Sequence, residues 1–397
     1  MRTEEDIRSH GVRKPGDLPA LLPHVHLFRL TKGRRPRWYA GAGAVTLLVL
    51  CGVGLLLALM LGPGDATPDS VTQPAPAPRR AVLGATIRIP AGAVDVAVGS
   101  DAIWVSGFGA MTRLAPGTNH VVATVKTPGT EDYSHVAVGL GAVWVSSDGG
   151  KLYRIDPNSN RVVATILVGG PIVGVATGGG YVWVTRPTEG IGELIRVDPA
   201  TNRVSGPPID AGPGPIAALY GFGALWVTNS SPSSVVRVDP STGTVSTMGF
   251  TGRVAAGYAS LWASSDDSVV RVDPKTGRPA TTLRVPRAHA VAVGEGRVWV
   301  LASAQSSSPT LFYPVKNTAA LWAIDPMNNR VVGRPLRLGA LQPLALAVGD
   351  GTVWVADYDR GSVTRFDLVR CARPVRFLKG VHRFRIAVRR LANFGKC

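Results

Sequence analysis

The apolar positions of this chain fall into short runs that are separated by turn residues. The clearest example, Val136–Ile166, reads VAVGLGAVWVSSDGGKLYRIDPNSNRVVATI. Its four apolar runs are Val136–Gly139, Val143–Ser146, Leu152–Ile155 and Val162–Ile166. A Gly-x-Gly turn, a polar loop and an Asp-Pro turn separate them. Runs this short, bounded by Gly, Pro, Asp and Asn, predict four β-strands rather than a helix.

This four-strand unit recurs along the chain. A tryptophan in its second strand marks each of seven copies, at Trp104, Trp144, Trp183, Trp226, Trp262, Trp299 and Trp354. Self-similarity with a period of about 40 residues and four strands per copy is typical of a β-propeller. The sequence therefore predicts an all-β fold, a seven-bladed propeller over residues 81–370, with the tryptophans packed between blades. An insertion at Ser303–Ala319 lengthens one copy.

The two ends of the repeat region predict how the ring closes. Residues 85–90 (ATIRIP) resemble the fourth strand of a blade, but no first three strands precede them. The last copy supplies three strands and then its pattern stops. Because a propeller protects its strand edges by closing the ring, we expect strand 85–90 to complete the last blade.

Two recurring motifs are interpreted as structural. A glycine lies five residues before every tryptophan, and a strand follows it rather than the helix of a phosphate-binding loop. We expect these glycines to supply the positive φ of tight hairpins. The recurring Asp-Pro pairs fit type I turns between third and fourth strands, and they are spread around the rim rather than gathered as metal ligands.

The N-terminal part predicts a membrane anchor. Residues 40–61 carry no charge and are long enough to cross a bilayer as a helix. A basic cluster precedes them, so we expect 1–38 in the cytoplasm, a transmembrane signal-anchor helix at 39–62 and the propeller outside the cell. A cleaved signal peptide is the alternative. Residues 63–80, rich in proline and alanine, are interpreted as a spacer.

The charge distribution argues against nucleic-acid binding. The net charge is +17, but residues 39–370 carry 26 Lys/Arg against 22 Asp/Glu, so the propeller itself is nearly neutral. The tail 371–397 has eight Lys/Arg and no acid. It is interpreted either as a basic amphipathic helix on an anionic lipid or polymer, or as a tail packed loosely on the propeller. Outside the cell its cysteines, Cys371 and Cys397, could form a disulfide.

Function is expected where the copies differ, in the loops around one end of the central channel. The candidate binding residues there are Tyr133, His135, Arg186, Asp266, His289, Asp357 and Tyr358. No Ser-His-Asp order and no zinc-type spacing emerges, so we predict no catalytic residue and no metal ligand. Each histidine taken alone is more typical of a hydrogen-bonded rim residue.

The repeat VAVGxGxVWV…xRIDPxTNxVVATI resembles bacterial seven-bladed propellers of the YVTN/NHL type and of the streptogramin-lyase-like family over about 85–370. Such propellers serve as binding scaffolds, sensors and occasionally enzymes. The regular scaffold motifs, the predicted anchor with its spacer and the lack of a catalytic constellation favour a membrane-tethered scaffold that recognises a protein, peptide or cell-wall component on its channel face. The alternative is a metal-dependent lyase, although the later blades carry His289 and no His-x-His. Thr247 and Thr281 stand where a quinoprotein-like motif needs tryptophan, so no cofactor is expected.

Overall fold

A computed structural model describes residues 79–130, 134–230, 233–303, 318–339, 341 and 343–370. Their regular secondary structure consists of 30 β-strands. None of their segments is a helix long and apolar enough to cross a membrane. The predicted cytoplasmic segment, the anchor at 39–62, nearly all of the spacer and the tail 371–397 lie outside these ranges.

The first half of the described chain forms one closing strand and three complete blades. The closing strand is β1 (Arg79–Arg88). Blade 1 contains β2 (Asp95–Val98), β3 (Ile103–Gly107), β4 (Ala110–Leu114) and β5 (Val121–Lys126). Blade 2 contains β6 (Val136–Gly139), β7 (Ala142–Ser146), β8 (Lys151–Asp156) and β9 (Arg161–Leu167). Blade 3 contains β10 (Gly174–Gly178), β11 (Tyr181–Arg186), β12 (Gly192–Asp198), β13 (Arg203–Val204) and β14 (Ile209–Gly212).

The second half forms the other four blades. Blade 4 contains β15 (Pro215–Gly221), β16 (Ala224–Ser230), β17 (Ser233–Val238) and β18 (Val245–Thr247). Blade 5 contains β19 (Arg253–Gly257), β20 (Ser260–Ser265), β21 (Ser268–Val272) and β22 (Pro279–Arg284). Blade 6 contains β23 (Ala288–Gly294), β24 (Arg297–Ala302), β25 (Ala320–Asp325), β26 (Arg330–Val331) and β27 (Leu336–Arg337). Blade 7 contains β28 (Pro343–Gly349), β29 (Thr352–Asp357) and β30 (Ser362–Arg370).

Each blade is an antiparallel sheet whose first strand is innermost, and the seven inner strands pack side by side around a ring. The ring closes where β28 packs against β2. Strand β1 pairs antiparallel with β30 from Arg79↔Arg370 to Arg88↔Ser362 and supplies the outer strand of blade 7. The closing strand therefore has the expected place in the fold, but it is longer than residues 85–90. The seven-bladed architecture of four-stranded blades is confirmed.

The seven repeat tryptophans are buried, none exposing more than 2% of its surface. Each belongs to an apolar cluster that joins two blades. Trp144 of blade 2, for example, packs with Val175, Val182 and Val184 of blade 3. The tryptophans thus form the predicted layer between blades, and each buries a large apolar surface there.

The glycines before the tryptophans have a different role from the predicted one. In blade 2 the residues with positive φ are Leu140 (55°) and Gly141 (73°), a pair typical of a type I′ turn, whereas Gly139 has none. A Cβ at Gly139 would collide with Thr177 of the next blade. The Gly139 carbonyl also accepts a hydrogen bond from the Trp144 indole N–H at 3.1 Å. This glycine is therefore needed because neighbouring inner strands approach closely, not for its φ.

The Asp-Pro motifs form the predicted turns and also link blades. In blade 2 the N–H of Asn158 and the hydroxyl of Ser159 donate to Asp156, and these bonds lower the pKa of that carboxyl. Asn160 follows with φ of 55°. Its Oδ1 accepts a hydrogen bond from Arg113 of blade 1 at 2.9 Å. The same arginine-to-asparagine bond joins blades 2 and 3, 5 and 6, and 7 and 1.

Candidate functional site

The innermost strands differ most at one position, four residues before the hairpin glycine. Four blades carry Gly174, Ala217, Ala290 and Ala345 there, and the other three carry Asp95, His135 and Arg253. A cavity of about 150 Å³ is lined by residues of inner strands from blades 1, 4, 5, 6 and 7, including Asp95 and Arg253. It therefore lies in the central channel. The polar residues stand out because the rest of the wall consists largely of alanine, leucine and valine.

Asp95 and His135 form a pair between blades 1 and 2. The imidazole Nδ1 lies 3.3 Å from Oδ2 of Asp95, and this oxygen also accepts the N–H of Val136 at 3.2 Å. Buried hydroxyls at the ends of the second strands hold the backbone in place. Ser106 accepts the N–H of Asp95 at 3.1 Å, and Ser146 accepts the N–H of His135 at 2.9 Å. The carboxylate and the imidazole are thus fixed by two adjacent blades.

Arg253 is the cation of this channel. Arg253 is exposed to solvent, and the surrounding inner strands crowd it. Both are expected for a side chain in a channel that water can enter. This crowding lowers the pKa of its guanidinium, and the Asp95 carboxylate partly opposes the effect. Arginine nevertheless stays protonated in proteins. Within the described ranges, its guanidinium makes no hydrogen bond or ion pair, so its N–H groups can donate hydrogen bonds to a ligand.

His289 lies beside Arg253 on the inner strand of blade 6. A bulge between Ala288 and Ala290 shifts it by one position relative to the partner strand. Its Nε2 lies 3.2 Å from the carbonyl oxygen of Pro343, which can only accept, so Nε2 carries the proton. Burial and then the charge of Arg253 lower the pKa of His289 to about 4. The imidazole is therefore neutral at neutral pH.

The other predicted residues do not join this cluster. Arg186 is structural: it forms an ion pair with Glu193 and donates to the carbonyl oxygens of Val168 and Gly169 at 3.0 and 2.7 Å. It thereby ties the second-to-third-strand hairpin of blade 3 to the chain that enters this blade. Asp266 lies exposed in the corresponding turn of blade 5, with φ of 25°.

Two further candidates lie where the second strand of blade 7 turns into the third. Asp357 is fully buried at the end of β29, and Arg360 Nε lies 3.9 Å from its Oδ2. Tyr358 packs edge-to-face on Phe108 of blade 1, with ring centroids 5.6 Å apart. Tyr358 is therefore interpreted as a packing residue between blades 7 and 1, and Asp357 contacts the hairpin of its own blade. Tyr133, Cys371 and Cys397 lie outside the described residues.

The structure thus places two predicted histidines beside two channel residues that the sequence interpretation missed. Asp95 contacts His135, and Arg253 acts electrostatically on both Asp95 and His289. Alignment of the seven copies on the hairpin glycine could have found the missed residues, since Asp95, His135 and Arg253 share one position. Among the described residues, no three His, Cys, Asp or Glu side chains are close enough to hold a metal ion.

The arrangement is suited to binding rather than to proton transfer. A protonated guanidinium and a carboxylate line one narrow cavity, and a neutral imidazole lies beside the guanidinium. Arginine recognises carboxylate and phosphate groups by charge and by paired hydrogen bonds. The expected ligand group is therefore an anion small enough to enter the channel.

No protein-family model and no curated protein sequence matches the chain. Solved structures do match. One is the hydrazine synthase of Kuenenia stuttgartiensis, which aligns with 73% of this chain and 99% of that chain, with a TM-score of 0.53 and 12% sequence identity. At this identity the similarity concerns the fold alone. A propeller is compatible with a binding or scaffold role, and its activity must be argued from its own residues.

Proposed function

We propose that this chain is a membrane-anchored, extracytoplasmic propeller that binds a protein, peptide or cell-wall component at the channel mouth. The single observation that carries the proposal is Arg253, a channel cation without a bond to the described residues. The ligand would present an anionic group to the positive charge of Arg253. His289 is neutral and adds no second charge there. Asp95 and His135 would orient any donor groups of the same ligand.

The location is proposed from the sequence. The uncharged segment 40–61, the basic cluster ahead of it and the spacer after it support an anchor with the propeller outside the cell. The repeat pattern supports a relation to propellers of the YVTN/NHL type, which include binding scaffolds. The described residues give the lyase alternative no cluster of metal ligands, so we do not propose it.

The test uses intact cells that carry the full chain with Cys51, Cys371 and Cys397 changed to serine. A membrane-impermeant, thiol-anchored photo-crosslinker is attached at Asp266→Cys or at Phe222→Cys. Asp266 lies at the channel end that holds Arg253, because Arg253 pairs in register with Ser264. Phe222 lies in an exposed first-to-second-strand turn at the opposite end of its blade.

We expect both cysteines to be labelled on intact cells, and a discrete crosslinked partner from Asp266→Cys only. Arg253→Gln should weaken that crosslink about tenfold, since hydrogen bonds to charged groups contribute about 1.5–3 kcal/mol. Arg161→Gln, which removes an exposed cation from the outer strand of blade 2, should leave it unchanged. Labelling only after cells are broken would contradict the location. A crosslink that ignores Arg253→Gln would contradict the binding site.

A further inference from the structure

Blade 6 lacks a side chain that fills the equivalent space in the other blades. Opposite the tryptophan, the third strand elsewhere carries an arginine, at Arg113, Arg154, Arg196, Arg237, Arg271 and Arg365. Five of these guanidinium groups lie over the tryptophan ring of their own blade, 5.3–6.0 Å from its centroid. In blade 6 the residue opposite Trp299 is Ala323. The ring of Trp299 therefore lacks the cover that a third-strand arginine provides elsewhere.

A cavity of about 690 Å³ occupies this place between blades 6 and 7. Trp299, Leu321 and Ala323 line it from blade 6, together with the chain segment 332–336. Residues 79–81 of the closing strand line the other side. Its volume falls within the range of small-molecule sites, which are mostly apolar with a few polar groups.

Blade 3 shows the same architecture with the space filled. Its outer strand is broken like that of blade 6: β13 and β14 flank residues 205–208, as β26 and β27 flank residues 332–335. In blade 3, Arg196 lies beneath the break. Its Nε donates to the carbonyl oxygen of Ser205 at 3.2 Å, and its guanidinium lies 4.6 Å from the ring centroid of Tyr181. The cavity in blade 6 therefore follows from the change of this arginine to Ala323.

The charges around the cavity determine what it can hold. Arg79, Arg80 and Arg334 line it, and Glu295 pairs with Arg79. Arg334 is exposed and, in the part of the chain that the structure describes, makes no hydrogen bond or ion pair. A second planar cation in place of the missing guanidinium would meet this positive rim. An organic anion would instead be attracted to it, while its apolar body packs on the side of the Trp299 ring that a third-strand arginine covers in other blades.

We propose that the cavity between blades 6 and 7 binds an organic anion that has an aromatic or aliphatic body and a carboxylate. The apolar body lies against Trp299, Leu321 and Leu336, and the carboxylate faces Arg334. This site lies between blades and does not depend on the channel residues, so it stands apart from the function proposed above.

Two water-soluble probes with the same ring and opposite charge test the proposal: 1-naphthoate and 1-naphthylmethylammonium. Each is titrated calorimetrically into the full chain in lipid nanodiscs, with empty nanodiscs as the blank. We expect saturable binding of naphthoate and at least tenfold weaker binding of the ammonium probe. Raising the salt concentration should weaken naphthoate binding, because the partly exposed charges are screened.

The first variant introduces into blade 6 the arginine that fills the equivalent space in blade 3. Ala323→Arg should fill the cavity and weaken naphthoate binding at least tenfold, whereas Ala280→Arg, on the exposed outer strand of blade 5, should not. Arg334→Gln should weaken binding up to about fivefold, as expected for a solvent-exposed charge pair, and Arg161→Gln should leave it unchanged. Arg334→Gln also keeps the test decisive if Ala323→Arg unfolds the chain. Any of three results would overturn the proposal. The first is absence of saturable naphthoate binding, and the second is equal binding of both probes. The third is unchanged naphthoate binding in a folded Ala323→Arg variant and in Arg334→Gln.

Discussion

The channel residues combine strong local support with one unfavourable electrostatic contact. The backbone beside Asp95 and His135 is held by the buried hydroxyls of Ser106 and Ser146. His289, in contrast, lies beside the positive charge of Arg253. A protonated His289 would place two cations together in a crowded channel. This pair therefore makes the stability of the propeller sensitive to mild acid.

The pH dependence follows from the pKa of His289, which is about 4 in the folded chain against an ordinary value of 6.5. Between these values the unfolded chain binds more protons, so the free energy of unfolding increases as pH rises from 4 to 6.5 and is level above. The full effect is at most about 3 kcal/mol. Urea denaturation across this range should show a smaller increase for His289→Gln than for the natural chain. His120→Gln removes an exposed histidine and should keep the natural increase. Equal increases in the chain and in His289→Gln would refute the assignment.

At the scale of the strand pair, close packing between blades determines which residues are allowed. A Cβ at Gly257 would overlap Cγ1 of Val293 in blade 6 and would lie 3.1 Å from its Cβ. By contrast, a Cβ at Gly141 would meet nothing within 4 Å, although this residue has φ of 73°. A glycine before the hairpin turn and a glycine within it are thus needed for different physical reasons.

Alanine substitutions should separate crowding from backbone conformation. Gly257→Ala should destabilise the propeller by about 3 kcal/mol, because it overpacks a rigid contact between blades. Gly141→Ala should cost about 1 kcal/mol, since only a left-handed backbone conformation opposes it. Val293→Ala should recover part of the loss caused by Gly257→Ala. Thermal unfolding of these three single variants and of the double variant Gly257→Ala with Val293→Ala measures these differences. Equal losses for the two glycine variants would rule out the crowding argument.

The strand pattern, the tryptophan layer and the turns could be predicted because each depends on neighbouring residues and is repeated seven times. The role of Gly139 could not, since the contact with Thr177 depends on how closely two blades approach. The contacts of Arg186 could not be predicted for the same reason, since its partners belong partly to the segment between blades. Arg253 was not predicted because it begins an inner strand, whereas the predicted residues were those of the loops around the channel.

On the scale of the whole molecule, stability depends on joining the two ends of the described chain. The closing strand β1 is the outer partner of β30, and without it the last blade would expose a long strand edge. Near the C-terminal end of β1, the hydroxyl oxygens of Thr86 and Thr364 lie 3.2 Å apart. The pair is separated by 278 residues in sequence. A bond at this position would therefore close nearly the whole propeller covalently.

Thr86→Cys combined with Thr364→Cys, in a chain whose three natural cysteines are serine, should form a disulfide without moving the backbone. In the chain-entropy model, closing a loop of 278 residues stabilises the fold by up to about 5 kcal/mol. We expect the oxidised variant to unfold at a higher urea concentration than the same variant after reduction. Thr86→Cys with Val363→Cys, one position out of register, is the matched control and should not cross-link, because neighbouring residues point to opposite faces of a sheet. Ready oxidation of the control pair, or no gain in stability on oxidation of the paired variant, would contradict the register by which β1 closes the ring.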